Sequence, residues 1–518
     1  MSERKILLGN TLFASVGIYV EYFLGMLTSI LLARYLGPSD FGVYGLIMWL
    51  AGLGVALINA GITTGMIKFV AELRGNSRED LLPALVRHLR STQRRMMMAV
   101  LVVSATVYLI RGKNLVPDIN VIGFGLLLLS VSMRAPYMLN IAIAKGFENF
   151  RSTAAIAAIV APINLALVGI AILLRASLEG FVLVYALVSI GFCVVSAWRV
   201  RGLVPNADAG PELPQDLRAR ILNYSIYATA KMFVAFFCAS GSEVLFLNLW
   251  GTSADAGQFR AAYQLASSAS LLVPGVFAAT LLPFMARSLG ENPDAARRRF
   301  VLSIVHLAIL AAPVAAFGIS AAPDVIVALY GAAYHPAAMA LTWTLASCCV
   351  TIVVAGTASS LLVSTDQQRN LLIVTIVNGA IKVPVGIYMI IHYGLLGGVV
   401  SFALDATLNA ITQFWLALRI NKAKMPWSQL ARVIAVAVIA AIPAKLISHY
   451  LPPWPALFLG AVVFGPLYVI GTFVAGCWDH RSIDYMHDLV HRLGRTRLRA
   501  VEAFLAWARL RANTPVDA

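Results

Sequence analysis

Charge is what this sequence has least of. Only 12% of its 518 residues are charged, and acids are scarcer than bases, 24 against 40 lysines and arginines. A soluble domain is about 25% charged, so the figure excludes an ordinary water-soluble enzyme or binding module. Cysteine is scarce too. Cys193, Cys238, Cys348, Cys349 and Cys477 lie in or beside apolar runs and form no CxxC pair, which argues against zinc modules and disulfide frameworks. No P-loop, GxSxG elbow or nucleotide-binding domain occurs, so ATP-driven work within this chain has no sequence basis. No catalytic constellation emerges, and no metal site or cofactor is expected.

What fills the chain instead is hydrophobic sequence, 60% of all residues. A spanning helix needs about 20 mainly apolar residues. Fourteen such runs can be marked: 9–33, 40–64, 94–112, 119–143, 153–174, 178–199, 222–249, 257–284, 300–322, 336–363, 370–391, 395–418, 431–451 and 456–478. The first is too long for a signal-peptide core and is read as a retained span. With the N-terminus inside, most lysines and arginines fall on the cytoplasmic side; only Arg34, Arg111, Lys113 and Arg175 fall opposite. This is the positive-inside pattern. It places both termini in the cytoplasm and explains the +16 net charge through topology and anionic lipid, with no nucleic-acid partner.

The first two runs meet at Arg34-Tyr35-Leu36-Gly37-Pro38, followed by a polar turn at Ser39-Asp40. This hairpin returns later. Gly42 and Tyr44 match Gly257 and Phe259 at an offset of 215 residues, and Phe69, Ala71 and Gly75 match Phe284, Ala286 and Gly290. Gly180, Val182 and Tyr185-Ala186-Leu187 resemble Gly397, Val399 and Phe402-Ala403-Leu404 at an offset of 217. Six spans per copy make a parallel repeat. The expected fold is all-α and polytopic, with about 14 transmembrane helices. Residues 1–205 form an N-lobe and 206–221 a Pro- and Gly-rich cytoplasmic linker. Residues 222–420 form a C-lobe, 421–478 an extra helix pair, and 479–518 a basic amphipathic tail. His487 and His491 in that tail are spaced i,i+4, but this face also suits solvated polar residues.

The stretch LLARYLGPSDFGVYGL, with KFVAE after the next span, resembles the polysaccharide-biosynthesis (Wzx-type) flippases of the multidrug/oligosaccharidyl-lipid/polysaccharide exporter superfamily. LWGTSADAGQFRAAYQLA, LPFMARSLG and LLVSTDQQRN are similar to that family too. The resemblance implies a MATE-like fold of two six-helix lobes around a cavity, alternating access, and an undecaprenyl-diphosphate-linked oligosaccharide as substrate. It also implies a bacterial inner (plasma) membrane setting. Membrane lipids and a polysaccharide polymerase or export machinery would be its partners. A MATE-type small-molecule or ion antiporter and a lipid II flippase are the alternatives. A membrane glycosyltransferase, polymerase or ligase would need a sizeable outer loop that the chain lacks, and a scaffold would leave the intramembrane charges unexplained.

Those charges are the candidate site. Each costs roughly 2.5–3.5 kcal/mol at a helix centre on insertion scales, so they face interior cavities. Arg134, Lys231, Arg260 and Lys382 are expected to bind diphosphate and glycan, Arg as a planar fork and Lys as a point charge. Structural pairing with acids is the competing use. Glu21, Glu243 and Asp405 are candidates for H⁺ or Na⁺ coupling or for pairing with those cations. Lys445, near a span end, reads as snorkelling. The Glu21 hairpin is expected to form one cavity wall, and the Leu245–Pro283 hairpin carrying Arg260 the wall opposite. Asn59, Asn140, Asn164, Asn378 and Asn409 suit interhelical hydrogen bonds. Pro136, Pro162, Pro274, Pro313 and Pro384 suit helix bends. Trp198, Trp250, Trp427, Trp454 and Trp478 suit interfacial anchoring.

Overall fold

The computed structural model describes residues 3–59, 61–76, 78–115, 120–204, 212–238, 241–272, 293–365, 367–480 and 483–484. Among these the chain is helical throughout, with no β-strand. Seventeen α-helices are described: α1 (Glu3–Asn59), α2 (Ile62–Gly75), α3 (Leu82–Leu115), α4 (Val121–Gly146), α5 (Phe150–Leu173), α6 (Leu178–Val200), α7 (Gln215–Cys238), α8 (Ser242–Trp250), α9 (Ser253–Leu272), α10 (Pro293–Ser320), α11 (Ala322–Tyr330), α12 (Ala337–Val350), α13 (Thr357–Ser364), α14 (Gln368–Tyr393), α15 (Leu395–Asn421), α16 (Trp427–Tyr450) and α17 (Pro453–Val474). Eleven helical segments among the described residues are long and apolar enough to cross a membrane.

Expected spans 1 and 2, 7 and 8 account for the difference between eleven and fourteen. Expected spans 1 and 2 run together in α1, and the five- or six-residue turn between them shrinks to one non-helical residue, Gly37 (φ 74°, ψ 174°). Pro38 then opens the second half, where its missing N–H costs nothing, and Asp40 falls in that first turn, where negative charge suits the helix dipole. Span 7 is not one helix either. It breaks into α7 and α8, and Gly241 before α8 has a φ of 115°, a left-handed value that favours glycine. Span 8 begins as α9, but residues beyond 272 lie outside the described set, as do Pro274 and nearly all of the tail, with His487 and His491. The interval 65–93 between expected spans 2 and 3 is mostly helix, in α2 and the start of α3. Between expected spans 9 and 10 the chain forms the short helix α11, with Tyr330 and Tyr334 buried around Gly331. Span 10 is α12 and α13 joined through a π-turn at Thr351–Gly356.

Contacts divide the chain into two compact units. The first is Met1–Ala261 with Ile390–Gly398, and the second is Ala262–Met389 with Val399–Ala518. In the first, Leu46, Ile47, Ala51 and Ile58 of α1 pack with Leu127, Val131 and Ala135 of α4 and Val182 of α6. Below them Met66, Phe69 and Val70 of α2 pack against Leu85 and Leu89 of α3 and Ile143 of α4. Polar side chains tie the same helices. Asn59 Nδ2 and Gln93 Nε2 both donate to the Ala135 carbonyl, at 3.2 and 2.8 Å, and Asn140 Nδ2 donates to Ser196 Oγ at 3.0 Å. In the second unit, small residues let α16 and α17 approach: Ala437, Ala440 and Ala444 pack on Phe464 and Tyr468, and the Tyr468 hydroxyl donates to the Ile309 carbonyl at 2.8 Å. The apolar stretch of α3 faces outward, with Val102, Val103, Leu109 and Ile110 exposed, as suits a lipid-facing surface. Trp198, Trp250, Trp427 and Trp454 are exposed at helix ends. Trp478 instead stacks on Phe473, its ring N–H donating to Thr472 Oγ1.

Candidate functional site

Arg134 sits in the middle of α4 and meets one face of α6. Tyr185, Ser189 and Phe192 recur there at i, i+4 and i+7, the spacing that aligns side chains on a helix. Arg134 Nε donates to Ser189 Oγ at 3.2 Å, and the Ser189 hydroxyl donates to the Tyr185 carbonyl at 2.7 Å. The guanidinium carbon lies 4.6 Å from the Tyr185 ring centre and 5.2 Å from that of Phe192, both within cation–π range. Tyr137, one turn beyond Arg134, packs on Phe192 with ring centres 4.7 Å apart. One nitrogen and the flat faces are thus engaged, fixing the fork in direction. Arg134 joins none of the ion pairs found among the described residues.

This arginine lines a cavity of about 440 Å³ within the first unit. Gly52, Val55 and Ala56 of α1 form one side, Tyr185 another, and Met232 and Phe236 of α7 a third. A guanidinium held by aromatics in an otherwise apolar, open-sided cavity is suited to an oxyanion, which its fork of N–H donors can bind.

Arg260 is placed differently. It does not line this cavity. Its guanidinium carbon lies 4.7 Å from the Phe41 ring and 5.1 Å from the Tyr44 ring, and a Cβ on Gly45 would lie 2.9 Å from its Nη1. Around Arg260, α9 is in direct contact with the start of the second half of α1. The two arginines share a neighbour, since Tyr44 lies within electrostatic reach of both and of Tyr185. Glu243 is fully buried in the first turn of α8, and its Oε2 accepts the Gly241 N–H at 3.1 Å. Glu21 and Lys231 lie on α1 and α7, but their side chains lie outside the described residues.

The second unit holds a polar network between α14 and α15. Lys382 is 0% exposed, and its Nζ lies 3.9 Å from Asp405 Oδ2. Asp405 Oδ1 accepts from Asn409 Nδ2 at 2.8 Å. Asn378 Nδ2 donates to Asn409 Oδ1 at 3.3 Å and to Thr412 Oγ1 at 3.1 Å. A cation expected at the substrate and an acid expected in ion coupling are thus brought together as a pair. Among the described residues no group of three His, Cys, Asp or Glu side chains could hold a metal ion.

The aromatic partners Phe41, Tyr44, Tyr185 and Phe192 were not singled out from sequence. The i, i+4, i+7 spacing of Tyr185, Ser189 and Phe192 was the available signal, hidden because aromatics on an apolar helix also suit plain packing.

The model of the family described as "Polysaccharide biosynthesis protein" matches residues 31–339, which include Arg134, Tyr185 and Arg260. The chain belongs to the polysaccharide biosynthesis protein family. Solved structures add the fold of this family member. Lipid II flippase MurJ in an inward closed conformation is similar over 92% of this chain and 100% of its own, with a TM-score of 0.69 and 12% identity. An inward-facing multidrug resistance MATE family transporter of the MOP superfamily is similar over 79% of this chain and 98% of its own, at TM-score 0.64 and 16% identity. A MOP superfamily transporter from Pyrococcus furiosus, described as having a binding pocket of reverse polarity, is similar over 80% of this chain and 94% of its own, at TM-score 0.56 and 15% identity. No curated protein matches the sequence significantly. The family member is therefore a multi-pass, all-α membrane protein with a MATE-like fold.

Proposed function

We propose that the protein is a flippase carrying undecaprenyl-diphosphate-linked oligosaccharide from the cytoplasmic to the outer leaflet of the bacterial inner membrane. Both termini would be cytoplasmic and the route alternating access. The observation that carries this reading is Arg134, a guanidinium gripped by Tyr185, Phe192 and Ser189 in an apolar chamber of about 440 Å³, in a chain of a polysaccharide biosynthesis family. A diphosphate is the anion such a fork suits, and a lipid-linked one reaches it from within the bilayer. Lys231, Arg260 and Lys382 are the other cations proposed to meet substrate. Glu21, Glu243 and Asp405 serve proton or sodium coupling or charge pairing. A polymerase or export complex would take up the product, and the 1–205, 206–221, 222–420, 421–478 and 479–518 division remains the proposed domain plan.

The test is depletion of the protein in its own cell, followed by assay of lipid-linked repeat units on each face of the membrane. Accumulation on the cytoplasmic face supports the reading. Normal surface polysaccharide with new drug sensitivity overturns it in favour of a MATE-type antiporter, and accumulation of lipid II overturns it in favour of that substrate.

A further inference from the structure

Helix α3 carries its charge towards one end. Arg87, His88, Arg90, Arg94 and Arg95 lie in its first half, no acid occurs anywhere along it, and no charge follows between Met96 and Ile110. Leu85, Leu89 and Gln93 are buried on the side that faces the rest of the first unit. Arg87, Arg90 and Arg94, spaced i, i+3 and i+7, share the side turned away. Arg94 and Arg95 are exposed, and Arg90 is half-buried. Met98 and Val102 continue the line from Arg94 at i+4 and i+8, and they are 60% and 59% exposed. A row of guanidiniums thus opens directly onto lipid-facing apolar surface.

The row is crowded with like charge. Arg90 lies within electrostatic reach of Arg94, and His88 within reach of Arg95 and of Arg218 on α7. Cations on the adjoining α2 and α7 have acids beside them: Arg74 pairs with Glu79 at 3.6 Å, Arg218 with Glu212 at 3.1 Å, and Arg220 with Glu72 at 2.7 Å. Arg90, Arg94 and Arg95 join none of the ion pairs found among the described residues. None of the residues lining the Arg134 cavity comes from α3, so this row is separate from that chamber's lining.

We propose that the start of α3 binds an anionic phospholipid, with its phosphate among Arg90, Arg94 and Arg95 and an acyl chain along Met98 and Val102. Like charges held this close repel, and an anion between them relieves the repulsion. A guanidinium fork matches phosphate oxygens two at a time. A soluble anion gains nothing from the apolar surface beyond the arginines, whereas a phospholipid uses both in one molecule. A zwitterionic lipid brings the same phosphate but also a cation, which the remaining arginines repel. The site serves whichever cargo the protein moves, so it stands apart from the flippase reading.

The experiment uses the purified full chain, stripped of lipid in detergent and titrated with phosphatidylglycerol or phosphatidylcholine of identical acyl chains. Native mass spectrometry counts the bound lipid. Phosphatidylglycerol is expected to fill its first site at concentrations where phosphatidylcholine does not. Combining Arg90→Gln, Arg94→Gln and Arg95→Gln is expected to weaken that site on the order of a hundredfold. Combining Lys422→Gln, Lys424→Gln and Arg432→Gln removes as much charge elsewhere and leaves it unchanged, and thermal unfolding verifies that both variants are folded. A second measurement needs no substitution. Phosphatidylglycerol with a diazirine on its acyl chain, in nanodiscs, is expected to label residues 96–102, and unlabelled phosphatidylglycerol to displace it. Equal binding of the two lipids, an equal loss in the control variant, or labelling away from α3 overturns the proposal and leaves these arginines as determinants of membrane insertion alone. Displacement of the label by polyprenyl diphosphate but not by phosphatidylglycerol also overturns it, and makes the row a landing place for the carrier.

Discussion

Gly42 and Gly257 meet backbone to backbone. A Cβ on Gly42 would collide with the Ser253 carbonyl and lie 2.9 Å from the Gly257 nitrogen, and one on Gly257 would collide with the Pro38 carbonyl and lie 3.0 Å from the Gly42 nitrogen. All four residues are related by the same offset of 215. The contact therefore maps onto itself, like an isologous interface about a two-fold axis. Gly42→Ala and Gly257→Ala are each expected to destabilise by at least the ~1–3 kcal/mol of ordinary overpacking, because the obstacle is backbone. Thermal unfolding in detergent checks this. The double variant should lose less than the sum, since helices already parted accept the second methyl cheaply.

Arg134 is expected to resist conservative exchange. Arg134→Lys keeps the charge but loses the fork and its planar seat between Tyr185 and Phe192. Outer-leaflet delivery of lipid-linked oligosaccharide should fall close to the level of Arg134→Gln. Tyr185→Phe keeps the ring and should stay near normal, whereas Tyr185→Leu forfeits about 0.5–2 kcal/mol of cation–π attraction. Rates normalised to protein amount decide it. A fully active Arg134→Lys would show that charge alone matters.

The Lys382–Asp405 pair predicts a different pattern. Removing one partner leaves a buried charge uncompensated, at a cost of about 3–5 kcal/mol. Lys382→Met and Asp405→Asn should each lower the unfolding temperature sharply, and the double variant should recover much of the loss. In the Asp405→Asn protein that remains folded, transport is then measured under an imposed proton gradient. Unchanged gradient dependence removes Asp405 from coupling and leaves it a structural partner of Lys382.

Cys477, just past the end of α17, is buried. Burial raises its thiol to about 11, outweighing the opposing pull of Arg432. The backbone carbonyl of the same residue accepts from Gln429 Nε2 at 2.7 Å, so this corner is pinned. A folded-state pKa above the unfolded value contributes stability below the unfolded pKa and loses it as pH rises toward 11. Maleimide should leave Cys477 unmodified in the folded protein at neutral pH and modify it after denaturation, as intact mass and peptide mapping will show.

Fold class was legible because lipid allows few solutions: a chain this apolar, with so few charges, must satisfy its backbone in helices. The family was legible in one turn, LGPSDFG, whose glycine and proline are dictated by backbone geometry at Gly37 and Pro38. Helix breaks were not legible. Hydropathy averages transfer cost over a window, and the short polar run Ser240-Gly241-Ser242-Glu243 lies between two apolar stretches, so the division of α7 from α8 was absorbed into one expected span. Intramembrane charge singled out Arg134, Arg260, Lys382, Glu243 and Asp405, which are buried or half-buried. It could not say which would pair, because pairing depends on the rotation of each helix. Lys382 and Asp405 are 23 positions apart and on different helices. The asparagines behaved as interhelical ties at Asn59, Asn140 and Asn378, where cross-helix partners are small and polar.

The self-mapping contact also bears on how a duplicated chain differs from a dimer. Residues 45 and 260 are twins under the same offset, yet one is glycine and the other arginine. The space a side chain at 45 would take is where the arginine's Nη1 arrives. Two identical half-length chains meeting this way would have to carry the same residue at both places. Paired glycines would leave a hole, and paired arginines would bring two like charges together. Gene fusion removes that constraint, so a single guanidinium can stand where symmetry would otherwise demand two or none.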